Sequence, residues 1–270
     1  MPELPEVETT RRGIEPHVTG KTVAQVLVRQ PSLRWPVSPE LSQALTGAVV
    51  DRIDRRGKYL LFSTGRGRMM VHLGMSGSLR IAEPGTQPRK HDHLDIAFSD
   101  STLMRFHDPR RFGSVFWLPA GEGHELIDDL GPEPLGDRFD GEYLYAASRS
   151  RSTPVKTFIM NSKVLVGVGN IYANEALFLA GIRPERRACK ISRQRYLRLA
   201  GFIRQVLGNA IDSGGTTLRD FLREDGSPGY FKQQLLVYGR GGEPCTACGR
   251  PLKEIRLGQR TTVFCARCQR

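Results

Sequence analysis

CTACGRPLKEIRLGQRTTVFCARC, residues 245–268, sets four cysteines in two Cys-x2-Cys knuckles sixteen residues apart. Two intervening residues let both thiolates of a knuckle reach one tetrahedral ion, and the pattern is that of a four-cysteine zinc ribbon with Cys245, Cys248, Cys265 and Cys268 as ligands. A segment of roughly 30 residues cannot bury enough apolar surface to fold alone, so one structural Zn2+ is expected to supply the folding energy. Four thiolates leave no open coordination position, which argues against a catalytic metal. The alternative, two disulfides, needs an oxidising compartment. Cys189, the fifth cysteine, reads as a bystander thiol. Residues 253–262 between the knuckles alternate like a β-hairpin with basic side chains near its turn. Spacing alone leaves open whether they press on a phosphate or form a solvated turn.

Upstream of this module the apolar spacing is helical at 153–165, 170–180, 192–211 and 216–223. Ser192 and Thr216 stand where N-caps belong, and Gly181 and Gly214 where C-terminal glycines belong. Further upstream the period changes. Short apolar runs at 23–28, 59–62, 69–73, 94–98, 103–106 and 115–118, separated by Gly, Asp, Ser and Pro, predict an all-β sandwich or barrel. Before it, Leu4, Val7 and Ile14 predict a short helix over 3–14, with Pro16 just beyond. LGPEPLGDRFDG reads as a hinge. The expected fold is α+β in two domains. An N-terminal β-sandwich with an N-terminal helix spans 1–132, a linker 133–150, a helical domain 151–235 and a zinc finger 236–270.

Lys plus Arg number 40 against 28 acids, a net charge of +12, with a pI near 9.9. A polyanionic partner suits such a chain, though a protein can be merely basic. No apolar run reaches the roughly 18 residues that span a bilayer. The acidic opening MPELPEVETT has no apolar signal region, so a cytosolic protein without a membrane partner is expected.

Pro2 follows the initiator methionine, whose removal would free a secondary amine able to attack an aldehyde-like sugar carbon. An α-amino group titrates near about 8 against about 10.4 for lysine, so far more of it is unprotonated at neutral pH, and a helix N-terminus lowers it further. Many chains begin Met-Pro, so this signal needs company. It has it. MPELPEVETTRRGIEP, GKYLL, HLGMSGSLR, HDPRRFG, LGPEPL, VGVGNIYANEALFLAGIRP, GGTTLRDF, DGSPGYF, VYGR and the terminal knuckles occur in one order along the whole chain. Together they resemble the bacterial formamidopyrimidine-DNA glycosylases.

That resemblance implies a helix–two-turn–helix arrangement in the helical domain. It implies a monomer acting on damaged double-stranded DNA in a basic cleft between the two halves, with the damaged nucleotide flipped out. It implies excision of oxidised purines with Pro2 as nucleophile, followed by strand cleavage through elimination. Glu3 would be the general acid–base, although a carboxylate there also compensates a helix N-terminus. Lys58 would assist elimination, although a lone lysine at a strand start is usually solubilising. Asn170, at a helix start after two glycines, would seat a phosphate, and Arg260 on the hairpin would complete the clamp. Met75, Arg110 and Phe112 would fill the hole left by the extruded base, the alternative being that Met75 and Phe112 are core. His91, Arg151 and Lys156 resemble backbone contacts. Residues 224–230 match a lid. The sister class for oxidised pyrimidines, the endonuclease VIII-type enzymes, usually begins MPEGPE. Leu4 and the Arg110–Phe112 loop favour the purine class. A non-enzymatic zinc-ribbon DNA binder is the remaining alternative.

Overall fold

The computed structural model describes residues 2–83, 85–214 and 235–270. Its first helix, α1 (Leu4–Val18), buries Leu4, Val7, Ile14 and Val18 along one stripe. The helix runs through Pro16 rather than stopping before it. Pro16 stands in the last turn, where a proline removes a single backbone hydrogen bond, and Val18, one turn beyond Ile14, is fully buried.

The chain continues through β1 (Val23–Val28), α2 (Leu41–Leu45), β2 (Arg52–Arg56), β3 (Tyr59–Thr64), β4 (Gly67–His72), β5 (Ser78–Ala82), β6 (Asp92–Phe98), β7 (Leu103–His107) and β8 (Ser114–Pro119). These strands form two antiparallel sheets of four, ordered β1-β6-β7-β5 and β2-β3-β4-β8. Val26, Leu79, Ile96 and Phe106 of the first sheet share one core with Ile53, Phe62, Val71 and Val115 of the second, and Val7 and Ile14 of α1 join it. Two sheets around one apolar core make a β-sandwich. β2 and β5 escape sequence reading because arginines interrupt their alternation. Arg52, Arg55 and Arg56 sit in the first, and Arg80 in the second.

One ionic cluster fastens α1 to this sandwich. Glu8 accepts from Arg11 and Arg12 on the helix and from Arg55 on β2 (3.2 Å). Burial pushes its carboxyl up, but the three guanidiniums outweigh that and hold it below its ordinary value. Arg55 also donates to Gly57 O at 3.0 Å. Gly57 (φ 59) and Lys58 are the two turn residues between Arg56 and Tyr59. Lys58 therefore lies in the hairpin turn rather than at the start of the strand.

After α3 (Glu125–Asp128), the second compact unit comprises Asp129–Asp212 and the described C-terminal residues. It contains α4 (Gly141–Ser148), α5 (Val155–Ile159), α6 (Asn170–Leu179), a 3-10 turn (Ala188–Lys190), α7 (Arg193–Asp212) and the hairpin β9 (Lys253–Leu257) with β10 (Arg260–Phe264). α4 lies inside the stretch read as a linker. Asp140 caps it by accepting from Tyr143 N at 2.7 Å, and Gly141 meets the backbone of Leu197 too closely for a side chain. The helix expected over 153–165 is only five residues long. Asn161 diverts it by accepting Lys163 N on its side chain (3.0 Å), an alternative to the helical ladder that asparagine commonly offers. α6 is buried from Ile171 to Phe178 and forms the centre of this unit. Gly181 and Gly214 take positive φ after α6 and α7, as expected. The helix expected over 216–223 and the lid over 224–230 lie outside the described residues.

Gly74 joins two loops of the sandwich. Its φ is +67, and a Cβ there would meet Gly113 N and the Phe112 carbonyl carbon at 2.4 Å. Gly20 has a similar φ of +78 with nothing within 4 Å. Gly20→Ala is expected to cost about 1 kcal/mol, the left-handed strain alone. Gly74→Ala should cost at least about 2 kcal/mol more in urea unfolding, because backbone must move. Equal losses at the two positions would contradict this packing.

Candidate nucleic-acid interface

The N-terminus is built by the start of α1. Glu3 is its N-cap, with an extended backbone, and its N–H donates to Glu6 Oε2 at 2.8 Å in a reciprocal capping box. Pro2 stands immediately before this cap, and Glu3 is buried. The helix-capping reading of Glu3 therefore holds.

Near the Lys58 turn, Tyr59 and His72 pack with ring centroids 4.8 Å apart. His72 Nδ1 accepts from Gly74 N at 3.0 Å, so the neutral ring carries its proton on Nε2. Burial, then the charges of Lys58 and Arg34, push its pKa down to about 4. The imidazole therefore adds no charge beside that lysine at neutral pH. Sequence reading passed over His72, whose only signal is its place at the end of an apolar run.

The loops carrying Met75, Arg110 and Phe112 converge on a buried carboxylate that was also missed. Asp108 accepts from Ser76 Oγ (2.9 Å), Gly113 N (2.8 Å) and Arg110 N (3.3 Å). Its own N–H donates to His91 O at 3.0 Å, and its carbonyl meets His93 Nε2 at 2.8 Å. Asp108 thus joins Ser76 beside Met75 and the 110–113 loop through its carboxylate, and the turn residue His91 just before β6 through its backbone N–H. With that scaffold fixed, Phe112 remains 39% exposed and Met75 half-buried, and neither joins the sandwich core. Arg110 lies over the Phe112 ring, 5.0 Å from its centroid. His91 sits at a half-buried edge, its ring 6.3 Å from His93 and 6.0 Å from His107.

In the second unit, Arg260 opens β10 after a two-residue turn, Gly258–Gln259, with both φ positive. Three side chains of the helical part grip the next residues. Lys156 Nζ donates to Thr261 O (3.0 Å) and Thr262 Oγ1 (2.6 Å), Asn170 Nδ2 donates to Thr261 O (3.0 Å), and Asn174 Oδ1 accepts from Val263 N (2.9 Å). Lys156 is only 1% exposed, so its ammonium points into the hairpin. Asn170 is the first residue of α6, and Gly169 is its N-cap. Arg151 and Arg260 line one depression of about 380 Å³ together with Thr157 and Gly258.

The four knuckle cysteines bring their sulfurs within 4.8 Å of one another, with Cys245 and Cys268 at 4.0 Å and Cys248 and Cys265 at 3.5 Å. A tetrahedral zinc with bonds of about 2.3 Å holds sulfurs about 3.8 Å apart, so the donor set fits that ion. Without the ion, burial and the neighbouring thiols push Cys268 up, whereas at Cys265 backbone amides and neighbouring thiols outweigh burial and bring it down. Phe178, Val237, Leu252 and Val263 form the small core around the site. Glu175 fixes the entry to the module by accepting from Leu236 N, Val237 N and Tyr238 N at 2.8–2.9 Å. No helix among the described residues is long and apolar enough to cross a membrane.

Three family models match the chain. They are the formamidopyrimidine-DNA glycosylase N-terminal domain over residues 1–115, the formamidopyrimidine-DNA glycosylase H2TH domain over 130–222, and a zinc finger found in FPG and IleRS over 242–270. The chain is 59% identical over 270 residues to a formamidopyrimidine-DNA glycosylase of Stenotrophomonas maltophilia and 57% identical to one of Stutzerimonas stutzeri, each match covering 100% of both chains. Its structure resembles MutM (Fpg) from Thermus thermophilus, with a TM-score of 0.90 at 40% identity over 99% of this chain and 98% of that one. It also resembles a Lactococcus lactis Fpg variant in complex with Fapy-dG-containing DNA, with a TM-score of 0.93 at 33% identity over 100% of both chains. With all three domains matched in order and full-length relatives above half identity, the chain belongs to the formamidopyrimidine-DNA glycosylase family.

Proposed function

We propose that this chain excises oxidised purines such as 8-oxoguanine and formamidopyrimidines from duplex DNA in base excision repair, and cleaves the strand with the same proline nitrogen. The observation that carries the residue assignment is the placement of Pro2 directly before a buried Glu3 at the N-terminus of α1. Relatives solved with Fapy-dG-containing DNA, abasic-site DNA and carbocyclic 8-oxo-G-containing DNA support the substrate class. The chain acts as a monomer on a damaged duplex, in the bacterial cytosol where the chromosome lies. Its working parts are a catalytic β-sandwich over 1–132, a joining segment over 133–150, a helical DNA-binding domain over 151–235 and a zinc finger over 236–270.

Once Met1 is removed, the Pro2 nitrogen attacks C1′ of the flipped nucleotide and the N-glycosidic bond breaks, its electron pair leaving with the base. Glu3 delivers a proton to the ring oxygen as the sugar opens, which gives a cationic imine. The imine acidifies C2′. Loss of a C2′ proton expels the 3′ phosphate, and a second elimination expels the 5′ phosphate. Lys58 assists proton removal at the sugar. Arg260, Asn170, His91 and Arg151 hold phosphates, while Met75, Phe112 and Arg110 occupy the emptied stack and face the estranged base. Lys156 serves this clamp from beneath, by holding the strand that Arg260 opens. Bound zinc supplies folding energy to the hairpin and takes no chemical step.

Borohydride should trap one protein covalently per 8-oxoguanine duplex. Pro2→Gly, or acetylation of the N-terminus, should slow trapping by about a thousandfold or more. Undiminished trapping by either would sink the assignment of the nucleophile.

Stripping zinc with a chelator should release one ion per chain and abolish duplex binding, while the unfolding transition of the β-sandwich stays in place. Unchanged affinity in a demonstrably zinc-free sample would remove the hairpin from the clamp.

His72 gives a pH prediction. Its folded pKa lies below the value of about 6.5 for the unfolded chain, so the unfolded state binds the proton first. Its contribution is fully present above about pH 6.5 and is lost as pH falls towards 4, by up to roughly 3 kcal/mol. Nitrogen NMR should show a single Nε2–H tautomer from pH 8 down to 5. Titration of this ring near 6.5 would contradict its burial.

A further inference from the structure

Trp35 keeps 43% of its surface exposed, although tryptophan is one of the most apolar side chains a protein can bury. Its loop is well fixed. Val37 N donates to Pro31 O at 2.9 Å, Ser32 and Pro36 pair in a bridge, and Arg34 N donates to Gly113 O at 3.1 Å. The last bond ties the Trp35 loop to the residue following Phe112. Arg34, Trp35, Arg110, Arg111 and Phe112 line one open depression of about 700 Å³.

As at Arg66, Arg68 and Arg89 elsewhere in this unit, the guanidiniums around the indole have no carboxylate partner among the described residues. Arg11, Arg29, Arg55, Arg80 and Arg105 of the same unit each pair with a carboxylate. Arg34, Arg110 and Arg111 pair with none among the described residues. Arg111 also stands at φ 54, a left-handed conformation that costs free energy in a non-glycine residue and that gathers at ligand-contacting sites. Guanidiniums without a carboxylate partner suit phosphate oxygens, and an exposed indole offers a stacking face to a base or an apolar face to a sugar. Three such cations around one ring fit a polyanion better than an apolar peptide.

We infer that Trp35, flanked by Arg34 and Arg111, forms a second DNA-contacting surface that continues the Arg110–Phe112 loop and receives the duplex flanking the extruded nucleotide. This rests on the reading of the chain as a glycosylase of duplex DNA. The void-filling loop acts at one step of the stack, and the Trp35 surface would fix the direction in which the duplex leaves it.

The chain has two tryptophans, and Trp117 is only 6% exposed, so acrylamide quenching of the intact zinc-loaded protein reports chiefly on Trp35. The probe is a duplex carrying a tetrahydrofuran abasic analogue, which the Pro2 amine cannot open. Saturation with this duplex should cut the quenching constant by about half or more. Trp35→Ala should weaken binding at least about fivefold and Trp35→Phe less than about twofold, since a phenyl ring retains a stacking face. Trp35→Phe should keep the parent's thermal midpoint, and the affinity of Trp35→Ala is read well below its own midpoint, because truncation also removes the covered part of the ring. An indole as quenchable in the complex as in the free protein, with borohydride trapping on 8-oxoguanine intact, would overturn the inference and leave that face to another partner. So would parental affinity in Trp35→Ala. Failure of the parent protein to trap would overturn the glycosylase reading and this inference with it.

Discussion

Glu8 holds the first helix in place by sharing one buried carboxylate among Arg11, Arg12 and Arg55. The helix carries Pro2 and Glu3 at its start. Arg55 stands on the strand leading into the Lys58 turn and also binds the Gly57 carbonyl. The cluster therefore fixes the start of α1 relative to the lysine in its hairpin turn. An apolar stripe alone would let the helix slide along the sheet. A charge buried with several partners has one low-energy arrangement, and removing one partner strands the others at a cost of about 3–5 kcal/mol. The covalent step proposed for Pro2 needs placement to within a fraction of an ångström, which such a cluster would supply.

The same device recurs at Asp108. The base replacement proposed for Met75 and Phe112 needs exposed apolar side chains on the surface, yet exposed side chains on slack loops would fold back against the protein. Asp108 resolves this by taking hydrogen bonds from a serine hydroxyl and two backbone amides, which fixes the loops while Phe112 stays outside. Gly74 adds the steric half, since its bare Cα lets the Met75 loop touch the backbone at Phe112 and Gly113. The order of this surface is thus polar and local, separate from the apolar core beneath it.

In the second unit, polar contacts again decide geometry. Zinc closes the module, but Lys156, Asn170 and Asn174 set where its hairpin lies against the helices. This explains why a lysine in a basic DNA-binding segment is almost fully buried. Its charge orients the strand that Arg260 opens. A buried ammonium with a carbonyl and a hydroxyl as partners is costly to misplace, so the register of β10 is held firmly.

The sequence alone determined what depends on short-range spacing or on chemistry fixed by residue type. The cysteine knuckles defined a zinc site because two intervening residues dictate sulfur geometry. Apolar periodicity over 23–28 and 103–106 announced the strands Val23–Val28 and Leu103–His107, and over 192–211 the helix Arg193–Asp212. The motif order carried the family. What only the tertiary structure decided depends on partners distant in the chain. Arg52–Arg56 looked too charged to be a strand until Glu8, more than forty residues earlier, neutralised part of it. Lys156 looked like a phosphate contact until residues more than a hundred positions later enclosed it. Asp108, and His72 beyond its place in an apolar run, carried no local signal, because a lone acid or imidazole acquires its role from the burial and hydrogen bonds that folding assembles around it.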